Sequence, residues 1–190
     1  MFSQIAQLLV ETLFGVFIYV LLLRFYMQLL RVPFRNPIGQ FVTALSDWIV
    51  RPARRVIPGL VGLDLATILL AWFAEALMLL FLYWLRGFSF AGTPGIAAGA
   101  LLTVAALEIV QASLHLLIGV VLVQVIISWV NPYAPLAPIF NALTRPFFAV
   151  FRRFIPPIGN VDLSPLFVLL IAQILLLVLA NLSRYLQAPM

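Results

Sequence analysis

Leu45-Ser46-Asp47-Trp48-Ile49-Val50-Arg51-Pro52-Ala53-Arg54-Arg55-Val56-Ile57-Pro58 returns 98 residues later as Leu143-Thr144-Arg145-Pro146-Phe147-Phe148-Ala149-Val150-Phe151-Arg152-Arg153-Phe154-Ile155-Pro156. Around this pair, residues 24–85 align on 122–183 without a gap. Asp64-Leu65 falls on Asp162-Leu163, and Arg86 on Arg184. A polar motif, Arg-Arg-x-Ile-Pro followed by Asp-Leu, therefore stands twice between hydrophobic runs. The duplication organises the rest of the chain.

Composition sets the class. Apolar residues make up 65% of the 190 residues and charged residues 9%, against about 45–50% and about 25% in soluble domains. A water-soluble fold of this size could not hide so much apolar surface, so lipid is the expected solvent. Every basic residue is an arginine. The basic stripe on a polar surface that a nucleic-acid reader needs is missing, and no nucleic-acid partner is expected. The absence of cysteine excludes disulfides, thiolate catalysis and thiolate-held metals.

Four hydrophobic spans follow: about 5–30, 64–85, about 106–129 and 164–182. The third run, Ala97–Val130, would reach roughly 50 Å as one helix, longer than a hydrocarbon core of about 30 Å. Its Gly-rich beginning, Gly92 through Gly99, is therefore read as a turn and entry segment. Ser164-Pro165 opens the fourth span as cap plus first-turn proline. The first span lacks a basic leader and a cleavage site, and reads as a retained anchor. The units are residues 1–88, a linker at 89–96, and residues 97–190.

Arginine placement orients the spans. Arg31, Arg35, Arg51, Arg54 and Arg55 lie in the first loop, and Arg145, Arg152 and Arg153 in the second, against Arg86 and Arg184 opposite. The positive-inside rule puts loops 31–63 and 131–163 in the cytoplasm and both termini outside. The expected fold is an all-α membrane protein. Four transmembrane helices form two parallel-repeat hairpins about a pseudo-twofold axis along the membrane normal.

Each loop carries a further helix, at 37–56 and 138–154. In the first, Ile38, Phe41, Val42, Leu45, Trp48 and Ile49 recur at helical spacing, with Gln40, Thr43, Ser46 and Asp47 largely off the stripe. Such amphipathic helices belong at the headgroup boundary, with Trp48, Phe147 and Phe148 as interfacial anchors. The alternative is that the apolar face docks on the helical bundle. The arginine pairs suit the helix C-termini and anionic lipid phosphates.

The doubled motif resembles the YGGT repeat of the YggT family. The second copy, Arg152-Arg153-Phe154-Ile155-Pro156-Pro157-Ile158-Gly159-Asn160-Val161-Asp162-Leu163-Ser164-Pro165, is close to the full pattern. The first departs from it at Gly59 and at Ala66-Thr67. Asn36-Pro37 and Asn131-Pro132 also resemble family features, three residues apart in register. The resemblance implies a small multi-pass protein of the bacterial inner membrane. It also implies links to osmotic-stress tolerance, to division-gene neighbourhoods and, in plastids, to cytochrome b6 haem attachment or nucleoid distribution.

Arg54, Arg55, Pro58 and Asp64, with Arg152, Arg153, Pro156 and Asp162, read first as structural. The aspartates precede hydrophobic helices, where a carboxylate caps free N–H groups, and a folded loop could pair them with the arginines. A paired surface for lipid headgroups or a partner protein is the other reading. Glu75 lies near the middle of the second span, and Glu11 and Glu108 toward the outer ends of the first and third. Such groups usually face a bundle interior. Gln173 occupies the Glu75 position in the second copy, so the two could hydrogen-bond across the axis or line an ion path.

Glu108, Gln111 and His115 share a face of the third span. One histidine with distant acids is a poor metal site, and haem ligation through His115 would need Met27 or Met78. No catalytic order of residues emerges, and no cofactor or metal is expected.

Three function classes remain. The leading one is a non-enzymatic scaffold or accessory protein in envelope, osmotic-stress or division-related processes, contacting anionic lipid headgroups and a membrane or cytoplasmic protein. The second is a small oligomeric ion channel or transporter, a homo-oligomer with Glu75 and Gln173 near its path. The third is a haem assembly factor.

Overall fold

The computed structural model describes residues 2–59, 63–87, 94–154 and 162–187. These form six helices: α1 (Phe2–Leu29), α2 (Pro37–Val56), α3 (Leu65–Leu85), α4 (Pro94–Val130), α5 (Ala137–Arg152) and α6 (Ser164–Gln187). No strand occurs among the described residues. Four helices are long and apolar enough to cross a membrane, over Ser3–Leu29, Leu65–Leu85, Ala98–Val130 and Ser164–Leu186. Only 22–39% of the most apolar stretch of each is buried inside the protein. The remaining apolar surface needs lipid or another chain to cover it.

Local chemistry sets the helix ends. The α1 helix stops in a Schellman motif: Val32 N–H donates to the Met27 carbonyl at 2.8 Å, and Arg31 N–H to that of Gln28 at 3.1 Å. Arg31 takes φ 55°, a place usually given to glycine. Met27 and Val32 supply the hydrophobic contact that accompanies this motif, both fully withdrawn from solvent. Asn36 caps α2, its Oδ1 accepting from Gly39 N–H at 2.8 Å, and Pro37 holds the first helical position. Asn131 heads a turn instead, and α5 begins at Ala137 with no side-chain cap. The α4 helix runs from Pro94, so Gly95 and Gly99 are helical and the expected turn does not extend over them, while its start at Gly92 and Thr93 lies outside the described residues. A helix-starting proline and the alanines that follow outweigh two glycines.

The α1 and α3 helices pack together, as do α4 and α6, and each loop helix rides on its own pair. A central cluster joins Ile18, Leu21 and Leu22 of α1, Val50 of α2, Ala71 and Ala74 of α3 and Ile109 of α4. The alanines let the spans approach closely without the hydrophobic drive that water supplies. Between the repeats, Ala76 and Tyr83 of α3 meet Leu101 and Ala105 of α4. Trp72 Nε1 donates to the Leu102 carbonyl at 3.0 Å. The end of α1, at Met27 and Val32, seats on Ile139 and Leu143 of α5.

This joint is one-sided. The α3 helix packs on α4, but α6 does not pack on α1 among the described residues. The expected pseudo-twofold is therefore not obeyed. The short connection after Gly87 sets α4 directly beside α3, and no equivalent connection draws α6 to α1.

Candidate functional site

The duplicated motif builds the same tie twice. In the first repeat Arg54 Nε donates to Asp64 Oδ1 at 3.3 Å and Nη2 reaches Oδ2. In the second, Arg152 Nε and Nη2 both donate to Asp162 Oδ2, at 2.9 and 2.6 Å. Each tie clips the end of a loop helix to the start of a spanning helix. Asp64 is the N-cap of α3, accepting from Thr67 N–H and hydroxyl. Asp162 accepts from Ser164 N–H at 2.9 Å as α6 begins. Burial alone would raise the Asp64 carboxyl, but hydrogen bonds from Arg54 and Thr67 outweigh it and hold the pKa below the ordinary value. Burial is likewise outweighed at Asp162, by hydrogen bonds from Ser164 and Arg152. Arg55, Pro58 and Arg153 are exposed, and Pro156 lies outside the described residues.

A second cluster occurs only in the first repeat. Arg24 is 4% exposed, and its Nη1 contacts Ser46 Oγ at 2.6 Å and Asp47 Oδ1 at 2.8 Å. Arg51 Nη2 takes Asp47 Oδ2 at 2.6 Å. Burial would raise the Asp47 carboxyl, but Arg24 and Arg51 hold it low and ionised. Arg54 Nη2 also donates to Gln28 Oε1 at 2.7 Å. Arg24, Gln28, Thr43, Asp47, Arg51 and Arg54 thus surround a polar pocket of about 310 Å³. Three of these side chains are guanidinium groups against one carboxylate, so the pocket has a basic lining suited to an anion. At the second-repeat positions of Arg24 and Asp47 stand Leu122 and Arg145, both exposed.

The polar residues of α2 were expected on the side away from the stripe that buries. Ser46 is buried against the protein and Asp47 leans the same way, because Arg24 awaits them there. Phe41, Leu45 and Trp48 face outward, with the Trp48 ring tilted against that of Phe17 of α1 at 5.9 Å between centroids. Phe148 is not a lipid anchor: it is buried against Val121 and Val168, in the place Val50 occupies in the first repeat. Phe147 is half-buried and lines an apolar groove of about 180 Å³ between α1, α4 and α5.

The intramembrane polar residues scatter. Glu75 is buried, within electrostatic reach of Glu108 and Tyr19. Ser183 Oγ donates to Glu108 Oε1 at 2.6 Å, joining α6 to α4. Gln173 is exposed on the outer side of α6 and does not meet Glu75. The one-sided joint buries the α3 face and leaves the matching α6 face outward. Glu11 is exposed too, so it does not face the bundle interior. His115 is exposed, its Nδ1 2.9 Å from the Gln111 carbonyl. No group of three metal-ligating side chains occurs among the described residues.

A family model described as CCB3/YggT matches residues 3–85 and again residues 103–183, one match for each repeat. The chain belongs to the CCB3/YggT family. It is similar to an uncharacterized protein of Pseudomonas aeruginosa, 32% identical over 95% of this chain and 91% of that one. It is also similar to the uncharacterized YggT of Escherichia coli K12, 31% identical over 88% of this chain and 85% of the relative. A Vibrio alginolyticus protein encoded in the proC 3′ region is 36% identical over 83% of this chain and 84% of its own length. No solved structure matches.

Within this family framework, the residues that sequence reasoning missed are Arg24, Gln28 and Asp47. The signal was available: Arg24 breaks an apolar run one turn before its end. A charge so placed needs a partner, and Asp47 is the only acid in the following loop before Asp64.

Proposed function

We propose that this CCB3/YggT protein is a non-enzymatic scaffold or accessory factor of the bacterial inner membrane. Its two hairpins run parallel, with loop helices at the cytoplasmic headgroup boundary and both termini outside. One observation carries the reading. The α2 helix is clamped to α1 by Arg24–Asp47 and to α3 by Arg54–Asp64, while Phe41, Leu45 and Trp48 stay exposed. A helix fixed so firmly with an apolar stripe outward is built to present that stripe to lipid or to another protein. The basic pocket beside it supports contact with anionic headgroups. The osmotic-stress and division-gene links that the resemblance implies are compatible with such a role.

Spin labels at positions 48 and 150 test the placement, and shallow lipid accessibility is expected. Bulk-water accessibility at both would remove the interfacial reading. A C-terminal alkaline phosphatase fusion should be active, since the C-terminus is placed outside. Ion conductance of the pure protein in liposomes, lost in Glu75→Gln at unchanged abundance, would replace the scaffold with a transporter. Haem co-purifying with the chain would replace it with a haem-handling role.

A further inference from the structure

The joint between the two repeats is made once and left unmade once. Met27 and Val32 at the end of α1 are buried against Ile139 and Leu143 of α5. Shifting each residue to its counterpart in the other repeat gives Val125 and Val130 at the end of α4, and Phe41 and Leu45 on α2. The chemistry is unchanged, apolar against apolar, yet Val130 is 79%, Phe41 57% and Leu45 40% exposed. The spanning helices repeat the asymmetry. Glu75, Ala76 and Tyr83 of α3 are buried, Ala76 and Tyr83 against α4. Their counterparts Gln173, Ile174 and Asn181 on α6 are exposed. An amide in the middle of a lipid-facing span is costly, and Gln173 stands where the first repeat has a residue hidden in an interface.

We infer that a second copy of this chain completes the unmade joint, the end of α4 and the outer face of α6 of one copy seating on α2 and α1 of the next. The contact reproduces between chains what the first repeat makes with the second within one chain. Its two sides differ, so it is heterologous, and about an axis along the membrane normal it closes into a ring. All copies keep the same membrane orientation. The inference rests on the duplication and the one-sided packing, not on the scaffold reading, and would hold for a channel as well.

The chain contains no cysteine, so introduced pairs report cleanly. Leu45→Cys and Val130→Cys are placed on separately tagged copies, co-expressed, and oxidised in native membranes. Both positions are exposed, so folding is not at risk. Val32→Cys with Leu143→Cys in one chain marks the joint already made and should close internally. The expected result is a dimer carrying both tags, at least fivefold more abundant than any dimer of either variant alone. No mixed dimer, in membranes where the internal pair closes, would overturn the inference and leave lipid as the cover. Val130→Cys pairing with itself as readily as with Leu45→Cys would also overturn it, since the contact would then be isologous. Label accessibility at positions 48 and 150, which lie outside this contact, is read separately, so failure here and failure of the interfacial placement are distinguishable.

Discussion

The α2 and α5 helices come from one duplicated segment, yet they are held by different means. Three positions are buried in both, Gly39, Ser46 and Val50 against Ala137, Thr144 and Phe148, whereas Ile139 and Leu143 are buried on α5 only. Both hydroxyls donate back to the carbonyl four residues earlier, Ser46 to Val42 and Thr144 to Phe140. Beyond that, α2 is gripped by a buried guanidinium, while α5 is gripped by aromatic packing and by Gln124, whose amide donates to Asn141 at 2.7 Å. Only the Arg–Asp tie at the helix end is common to both. The tie fixes where the loop helix meets the next span, and the rest of each seat has been free to diverge.

The largest effect should come from giving the first repeat the second repeat's residue. Arg24→Leu leaves Ser46 and part of Asp47 facing apolar surface. It should cost about 3 kcal/mol in unfolding, the low end for a broken buried pair because Arg51 still holds Asp47. Adding Asp47→Arg reproduces the Leu122 and Arg145 arrangement and should recover most of that loss. If it recovers nothing, the two seats are not equivalent.

Gly39→Ala comes next. A Cβ there would stand 2.5 Å from the Phe34 carbonyl oxygen, which is backbone and cannot swing away. About 2–3 kcal/mol is expected from such overpacking. Ala137→Gly, the reverse change at the matching position, should cost only about 0.5–1 kcal/mol. Thermal unfolding in a mild detergent reads both.

The shared tie should be graded by burial. The Asp64 side chain is 3% exposed and that of Asp162 28%. Asp64→Asn should therefore cost about 2 kcal/mol and Asp162→Asn about 1 or less. Both carboxyls have folded pKa values below the ordinary one of about 3.9. Their stabilisation is fully present above that value and is lost as pH falls through the lower folded values. Acid titration of the wild type against the two variants should converge only below about pH 4. Convergence near pH 6 would contradict the assignment.

The smallest effect should be a gain. Arg31 holds a left-handed conformation at the α1 terminus, whereas its counterpart Trp129 is still inside α4. Arg31→Gly should stabilise by about 1 kcal/mol, and Trp129→Gly should not.

Much of the fold was legible because lipid imposes a simple code. Twenty or so apolar residues in sequence declare a span whatever packs beside it, and four such runs stand out. The Asp64 cap was readable for a similar reason, since its partners lie within a few residues. What could not be read depends on which helix neighbours which. Gln173 was paired with Glu75 on the assumption of twofold symmetry, and only the packing of α3 on α4 reveals that its face is turned away. Phe148 was assigned to lipid by residue type, yet Val50 at the same repeat position is core. The inward turn of Ser46 and Asp47 required seeing Arg24 as a partner and not as an interruption.

Arg24 also has a consequence for how the chain is made. It belongs to the first span, and the groups that neutralise it, Ser46 and Asp47, are synthesised afterwards. At elongation rates of about 5–20 residues per second, that leaves an interval of roughly 1–5 s. Through that interval the newborn helix carries an uncompensated cation near one end. It cannot settle fully until the amphipathic segment folds back upon it. The first hairpin is thus timed by its own sequence, whereas the second, with Leu122 in that place, can enter the bilayer without waiting.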